Sequence, residues 1–155
     1  MLVYRISRCG YINDLSGTGA APYPGRWNSK GTYILYTAAT PSLALLESVV
    51  HISHIPSEGF CMTCLEIPDD KVKEVSTADL PPGWNANPPD DALKAIGDNF
   101  IADSEFLSLK IPSAVMPEDF DFLLNPNHPE FKKVKVVYTK SLSIDERLLG
   151  KAKSS

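Results

Sequence analysis

No run of apolar residues in this 155-residue chain approaches the roughly 20 that a membrane-spanning helix needs, so no membrane partner is expected. The opening residues, Met1-Leu2-Val3-Tyr4-Arg5, alternate like a strand. They lack the basic stretch, long apolar stretch and small-residue cleavage site of a secretory signal, which makes the cytoplasm the expected location. Positive charge is also short: 15 Lys and Arg stand against 19 Asp and Glu, for a net charge of −4. Such a balance argues against a surface that neutralises many phosphates and so against direct contact with nucleic acid. It leaves room for a small anion held by a few arginines focused in one cleft.

Cysteine is scarce and odd in number, with Cys9, Cys61 and Cys64, which suits a reducing compartment better than a disulfide framework. His51, His54, Cys61 and Cys64 are spaced like zinc ligands. Cys61 and Cys64, however, fall in a strand-like stretch, residues 59–67, where residues three apart face opposite ways, so no metal site is assigned and the cysteines read as small core or edge residues. Gly17-Thr18-Gly19 lacks the third glycine and the following helix that a dinucleotide fingerprint requires. Internal repeats are absent.

What remains is ordinary globular composition, 43% hydrophobic and 22% charged, at the length of one domain. That domain is expected over residues 1–150, with residues 151–155 as a frayed tail. Residues 2–7 read as a strand that places Arg5 on the face of Val3. A stretch rich in Gly, Asn, Asp, Ser and Pro then runs to Gly25 and reads as a surface loop. Gly25-Arg26-Trp27-Asn28 leads through Gly31 into a strand over residues 32–38 that carries Tyr36. Thr40-Pro41 is a helix start, with Thr as N-cap and Pro at the first helical position. The helix should run to about residue 51, with Leu43, Ala44, Leu46 and Val50 as its core stripe. Glu47 falls on that stripe. A buried carboxylate must be paired or used, and an ion pair with Arg5 or Arg26 is the structural alternative to a functional role.

Further on, residues 71–75 read as a strand and residues 80–89 as a proline-rich connection holding Trp84. Asp90 or Asp91 caps a helix to about residue 102, with Leu93, Ile96 and Phe100 on one face despite Gly97 in its interior. A strand over residues 106–111 runs into Ser113. Residues 119–129 read as turn-rich, with an apolar patch of Phe120, Phe122, Leu123 and Leu124, and with His128 ordering its own turn. Residues 134–139 read as the last clear strand, followed by a short helix that Ser143 caps and that ends near residue 149.

The segments Tyr4-Arg5-Ile6, Gly25-Arg26-Trp27-Asn28 with Gly31, Leu35-Tyr36, Ala44-Leu45-Leu46-Glu47, Ile111-Pro112-Ser113-Ala114-Val115 and Asn125-Pro126-Asn127-His128-Pro129 resemble, in this order, those of the RES-domain family. Its members are toxins of bacterial toxin–antitoxin pairs. One difference is visible: Pro24 precedes Gly25 where many members have two glycines. The resemblance implies a mixed α/β fold like that of ADP-ribosyltransferases, with a central mixed or antiparallel sheet and flanking helices. It also implies an enzyme that attacks NAD at the nicotinamide–ribose bond, by hydrolysis, by phosphorolysis with phosphate as co-substrate, or by passing ADP-ribose to a protein. No permanently bound cofactor is implied, since NAD is the substrate. The partner implied is an antitoxin with a helix-turn-helix DNA-binding domain, in a higher-order complex with the toxin.

Carried over by position, the site consists of Arg5, Arg26, Tyr36, Glu47 and Ser113. Each residue type has a use in that chemistry. Cleavage of the N-glycosidic bond builds positive charge on the ribose, which the Glu47 carboxylate would stabilise. Arg5 and Arg26 offer planar forks for the pyrophosphate, Tyr36 a face on which nicotinamide stacks, and Ser113 a hydroxyl on the far side. The rival from another class is a non-catalytic interaction domain in which these arginines and Glu47 form a structural ion-pair network.

Overall fold

The computed structural model describes residues 1–150. Seven strands form one sheet: β1 (Leu2–Arg8), β2 (Leu35–Ala38), β3 (Phe60–Glu66), β4 (Val72–Glu74), β5 (Ser108–Pro112), β6 (Phe120–Leu124) and β7 (Lys135–Leu142). Their order across the sheet is β4-β5-β6-β2-β1-β3-β7, with β4 parallel to β5 and every other neighbour antiparallel. Among the described residues two α-helices, α1 (Pro41–Val49) and α2 (Lys94–Asp103), complete a mixed α/β domain.

Helix α1 begins as its sequence requires. The Thr40 side chain accepts from Leu43 N at 3.1 Å and Pro41 occupies the first turn. Its Leu43 and Ala44 are buried with Ala38 against Tyr4 and Ile6, which lays the helix over β1 and β2. Val50, expected in the core stripe, is 56% exposed, because the helix ends at Val49 and the chain turns away there. Helix α2 covers the other half of the sheet, where Trp27, Trp84, Leu93, Phe100, Leu109 and Leu123 share one core. Asp90 caps a short 3-10 turn, Asp91–Leu93, that runs directly into α2.

The sheet is not uniform across its width. The β1–β3 ladder is paired from Leu2↔Glu66 through to Arg8↔Phe60, and the β2–β6 ladder from Leu35↔Leu124 to Ala38↔Asp121. Between β1 and β2 the only register pair is Tyr4↔Ala38. Continuing that register would set Arg5 opposite Thr37 and Ile6 opposite Tyr36. The strands part there instead, and the gap opens into the cavity described below.

Three further expectations about the fold are corrected. Residues 119–129 are not only turns: Phe120–Leu124 is the strand β6, between β5 and β2. Phe122, Leu123 and Leu124 are all buried, the continuous apolar run of a strand covered on both faces, and the flanking Pro, Asn and Asp residues masked it. Asp145 accepts from Arg147 N and caps the terminal 3-10 turn, Glu146–Leu149, in place of Ser143. Cys9 and Cys61 form a disulfide rather than remaining thiols, while Cys64 is free and buried. The cause is strand register: Ser7 pairs with Cys61, so Cys9, just beyond the end of β1, lies beside it. The expected tail over residues 151–155 lies outside the described residues. His128 does order its turn, its Nδ1 accepting from Glu130 N at 3.0 Å.

Candidate active site

A cavity of about 900 Å³ occupies the gap between β1 and β2, lined by both strands, α1 and the Tyr23–Asn28 turn. Arg5, Arg26, Tyr36 and Glu47 all line it, so four of the expected site residues converge from separate elements.

The Arg26 turn is held from several directions. Buried Asn28 donates through Nδ2 to the Ala20 and Tyr23 carbonyls at 3.2 and 3.1 Å, closing the preceding loop on itself. Its Oδ1 accepts from the Tyr36 hydroxyl at 2.5 Å. The tyrosine thus pins the turn with its hydroxyl and leaves its ring as cavity wall, and burial pushes its phenol well above the ordinary range. Gly25 is required at this contact, since a Cβ there would lie 2.7 Å from Asn28 Oδ1 and 2.8 Å from the Tyr36 hydroxyl. From the far side, Asp98 on α2 accepts from Ser29 N at 2.9 Å and from the Thr32 hydroxyl at 2.9 Å, which straps the helix to the turn.

Both arginines are anchored through a single nitrogen. Arg26 Nη1 donates to the carbonyls of Trp84 and Ala86 at 2.9 and 2.8 Å, and Arg5 Nη1 donates to the Ile12 carbonyl at 3.1 Å. Burial lowers the pKa of each, opposed at Arg26 by Glu47 and at Arg5 by Asp14. Neither forms an ion pair among the described residues. The structural alternative, an Arg–Glu47 salt bridge, is therefore not what the side chains make. Two partly desolvated cations without carboxylate partners, in an acidic chain, have the chemistry that an anion would satisfy.

Ser113 has a different place from the one expected. It is fully buried and does not line the cavity; it lies behind Glu47. Its Oγ accepts from Val115 N and Met116 N at 3.2 and 3.1 Å, so its one proton goes to Glu47 Oε1, at 2.5 Å. Ser113 therefore aims Glu47 instead of touching a ligand. Losing a hydrogen bond to a charged group costs about 1.5–3 kcal/mol. Ser113→Ala is accordingly expected to lower turnover roughly 10- to 100-fold while leaving ligand affinity nearly unchanged, which steady-state kinetics would separate.

One residue of the site was not anticipated. Asp121 on β6 lines the same cavity as Glu47 and is 8% exposed. A clue was present, a single acid inside Phe120-Asp121-Phe122-Leu123-Leu124, the same kind of irregularity that marks Glu47. The turn residues around it hid the strand and hence the clue.

The class that the fold and the cavity define is a mixed α/β domain whose sheet parts over a cavity lined by two arginines and a glutamate held by a buried serine. Residues 2–147 match the RES domain, and the chain belongs to the RES-domain family. It is 38% identical over 143 residues to Toxin Res of Pseudomonas putida, covering 88% of this chain and 92% of that one. It is 34% identical over 145 residues to the Prs ADP-ribosylating toxin of a Sphingobium species, covering 90% and 89%. Its fold is shared with the crystal structure of the Mycobacterium tuberculosis MbcT–MbcA toxin–antitoxin complex, at a TM-score of 0.76 and 16% identity over 99% of this chain and 89% of that chain.

Proposed function

We propose that this protein is the toxin of a toxin–antitoxin pair and that it consumes NAD in the cytoplasm by breaking the nicotinamide–ribose bond. The observation that carries this reading is the pairing, in one cavity, of two arginines without carboxylate partners and a glutamate aimed by a buried serine. The arginines suit the pyrophosphate of NAD, and the Tyr36 ring suits the flat nicotinamide. As the glycosidic bond breaks, its electron pair leaves with nicotinamide and positive charge grows on the ribose. Glu47 accepts from the 2′-hydroxyl and offsets that charge. Water or phosphate then attacks the anomeric carbon from the open side and loses its proton to solvent. In this reading Glu47 stabilises charge and forms no covalent bond, which fits a dissociative route.

A partner is supported by the relatives named as toxins and by the similar fold solved as a toxin–antitoxin complex. In this reading an antitoxin with a helix-turn-helix domain covers the cavity, and contact with DNA is indirect. A second reading, transfer of ADP-ribose to a protein, is favoured by the relative named as an ADP-ribosylating toxin. Adding NAD labelled in its ADP-ribose moiety to a cell extract containing the toxin separates the two. Label confined to small molecules is expected, and a labelled protein band would transfer the conclusion to the second reading.

A further inference from the structure

Asp121 has no part in the reaction just described, yet it is the second carboxyl group of the cavity wall. It stands on β6 opposite Ala38 of β2 and Ile111 of β5, held between Phe120 and Phe122. Its Oδ1 is buried and has no hydrogen-bond partner. Two carboxylates meeting in such a wall would be two acceptors facing each other, and like charges at that distance do not both persist. The surroundings decide which one carries the charge. Glu47 receives the Ser113 proton and lies in the field of Arg26, whereas Asp121 is buried and is pushed towards its neutral form by Glu47 and Asp119, with Arg5 and Arg26 elsewhere on the cavity wall. The Tyr36 phenol, which also senses Asp121, stays neutral.

We propose that Asp121 is a positioning residue, held as a neutral acid that donates a hydrogen bond to Glu47, so that Ser113 and Asp121 together clamp the carboxylate. This consequence for turnover rests on the proposed reaction, but the shared proton does not. Burial pushes the Asp121 carboxyl up to about 9, with Glu47 and then Asp119 adding to the effect. An acid whose pKa is raised by folding binds more protons in the folded than in the unfolded state. Its contribution to stability is therefore present in full below the ordinary value of 3.8 and is lost as pH rises towards about 9.

The direct test needs no ligand. Carboxyl carbon NMR of the full chain, with Asp121 assigned by its absence from Asp121→Asn, should show that carboxyl titrating near pH 9. Titration in the ordinary aspartate range would overturn the proposal whether or not NAD is consumed. Wild-type turnover should fall as pH rises towards about 9, and Asp121→Asn, which still donates but no longer titrates, should retain activity there. Asp121→Ala should lose about 10- to 100-fold in kcat. An Asn variant as impaired as the Ala variant would also overturn it. Absence of any NAD turnover by the wild type would remove the proposed reaction and leave the titration to decide the shared proton.

Discussion

Glu47→Gln should abolish turnover by about 10²- to 10³-fold, the loss typical when one preorganised stabiliser of transition-state charge is removed, or roughly 2.7–4 kcal/mol. Glutamine preserves the volume of the side chain and an oxygen that accepts from Ser113, so the fold and the cavity shape should survive. What disappears is the charge. Arg5 and Arg26, the proposed pyrophosphate anchors, are untouched, so KM for NAD should move far less than kcat. Circular dichroism and thermal melting establish that the variant is folded, and kinetics on the same sample establish the split. A comparable rise in KM with unchanged kcat would mean that Glu47 binds substrate without assisting the bond cleavage.

Gly97→Ala should disable the site from a residue that does not line the cavity. Gly97 is buried in the interior of α2, where alanine would ordinarily stabilise the helix by about 0.5–1 kcal/mol. A Cβ at this position, however, would overlap the carbonyl oxygen of Trp27. Backbone cannot rotate out of the way as a flexible side chain can, so either α2 or the Arg26–Trp27 turn must shift. Overpacking of this kind costs typically 1–3 kcal/mol. Set against the helix gain, a net loss of about 1–2 kcal/mol corresponds to a fall in Tm of roughly 2–8 °C for a domain of this size. Because Arg26 immediately precedes Trp27, displacement of the turn by about 1 Å should also cost on the order of 10²-fold in activity. Differential scanning calorimetry and NAD turnover on one preparation test both parts. A variant more stable than the wild type would show that the helix and turn are not in the contact described.

How far the sequence discloses this site depends on whether the relevant contact is local. The Thr40-Pro41 start follows from capping within a single helix and the structure reproduces it, whereas of the stripe on which periodicity placed Glu47 only Leu43 and Ala44 are buried and Val50 is exposed. Arg5, Arg26 and Tyr36 were identified by resemblance, and all three line the cavity. Ser113 was identified too, but its partner lies 66 residues away, so nothing local distinguished a hydroxyl that meets ligand from one that aims Glu47. Asp121 and β6 were hidden because a strand covered on both faces does not alternate, and turn residues flank it. The Cys9–Cys61 bond depends on the β1–β3 register, and the close approach of Gly97 to Trp27 on the docking of α2. Periodicity reports neither. The gap between β1 and β2 is likewise a property of two ladders that diverge, visible only once their single shared pair, Tyr4↔Ala38, is known.

The central claim is that this cavity cleaves the nicotinamide–ribose bond. Mass spectrometry of the small molecules formed when purified protein is mixed with NAD, with and without phosphate, tests it most directly. Free nicotinamide is expected in equal amount with ADP-ribose or its phosphorylated form, at a rate that Glu47→Gln reduces by about 10²-fold or more. NAD that remains intact in the presence of folded wild-type protein, with and without phosphate and with a protein extract added, would contradict it.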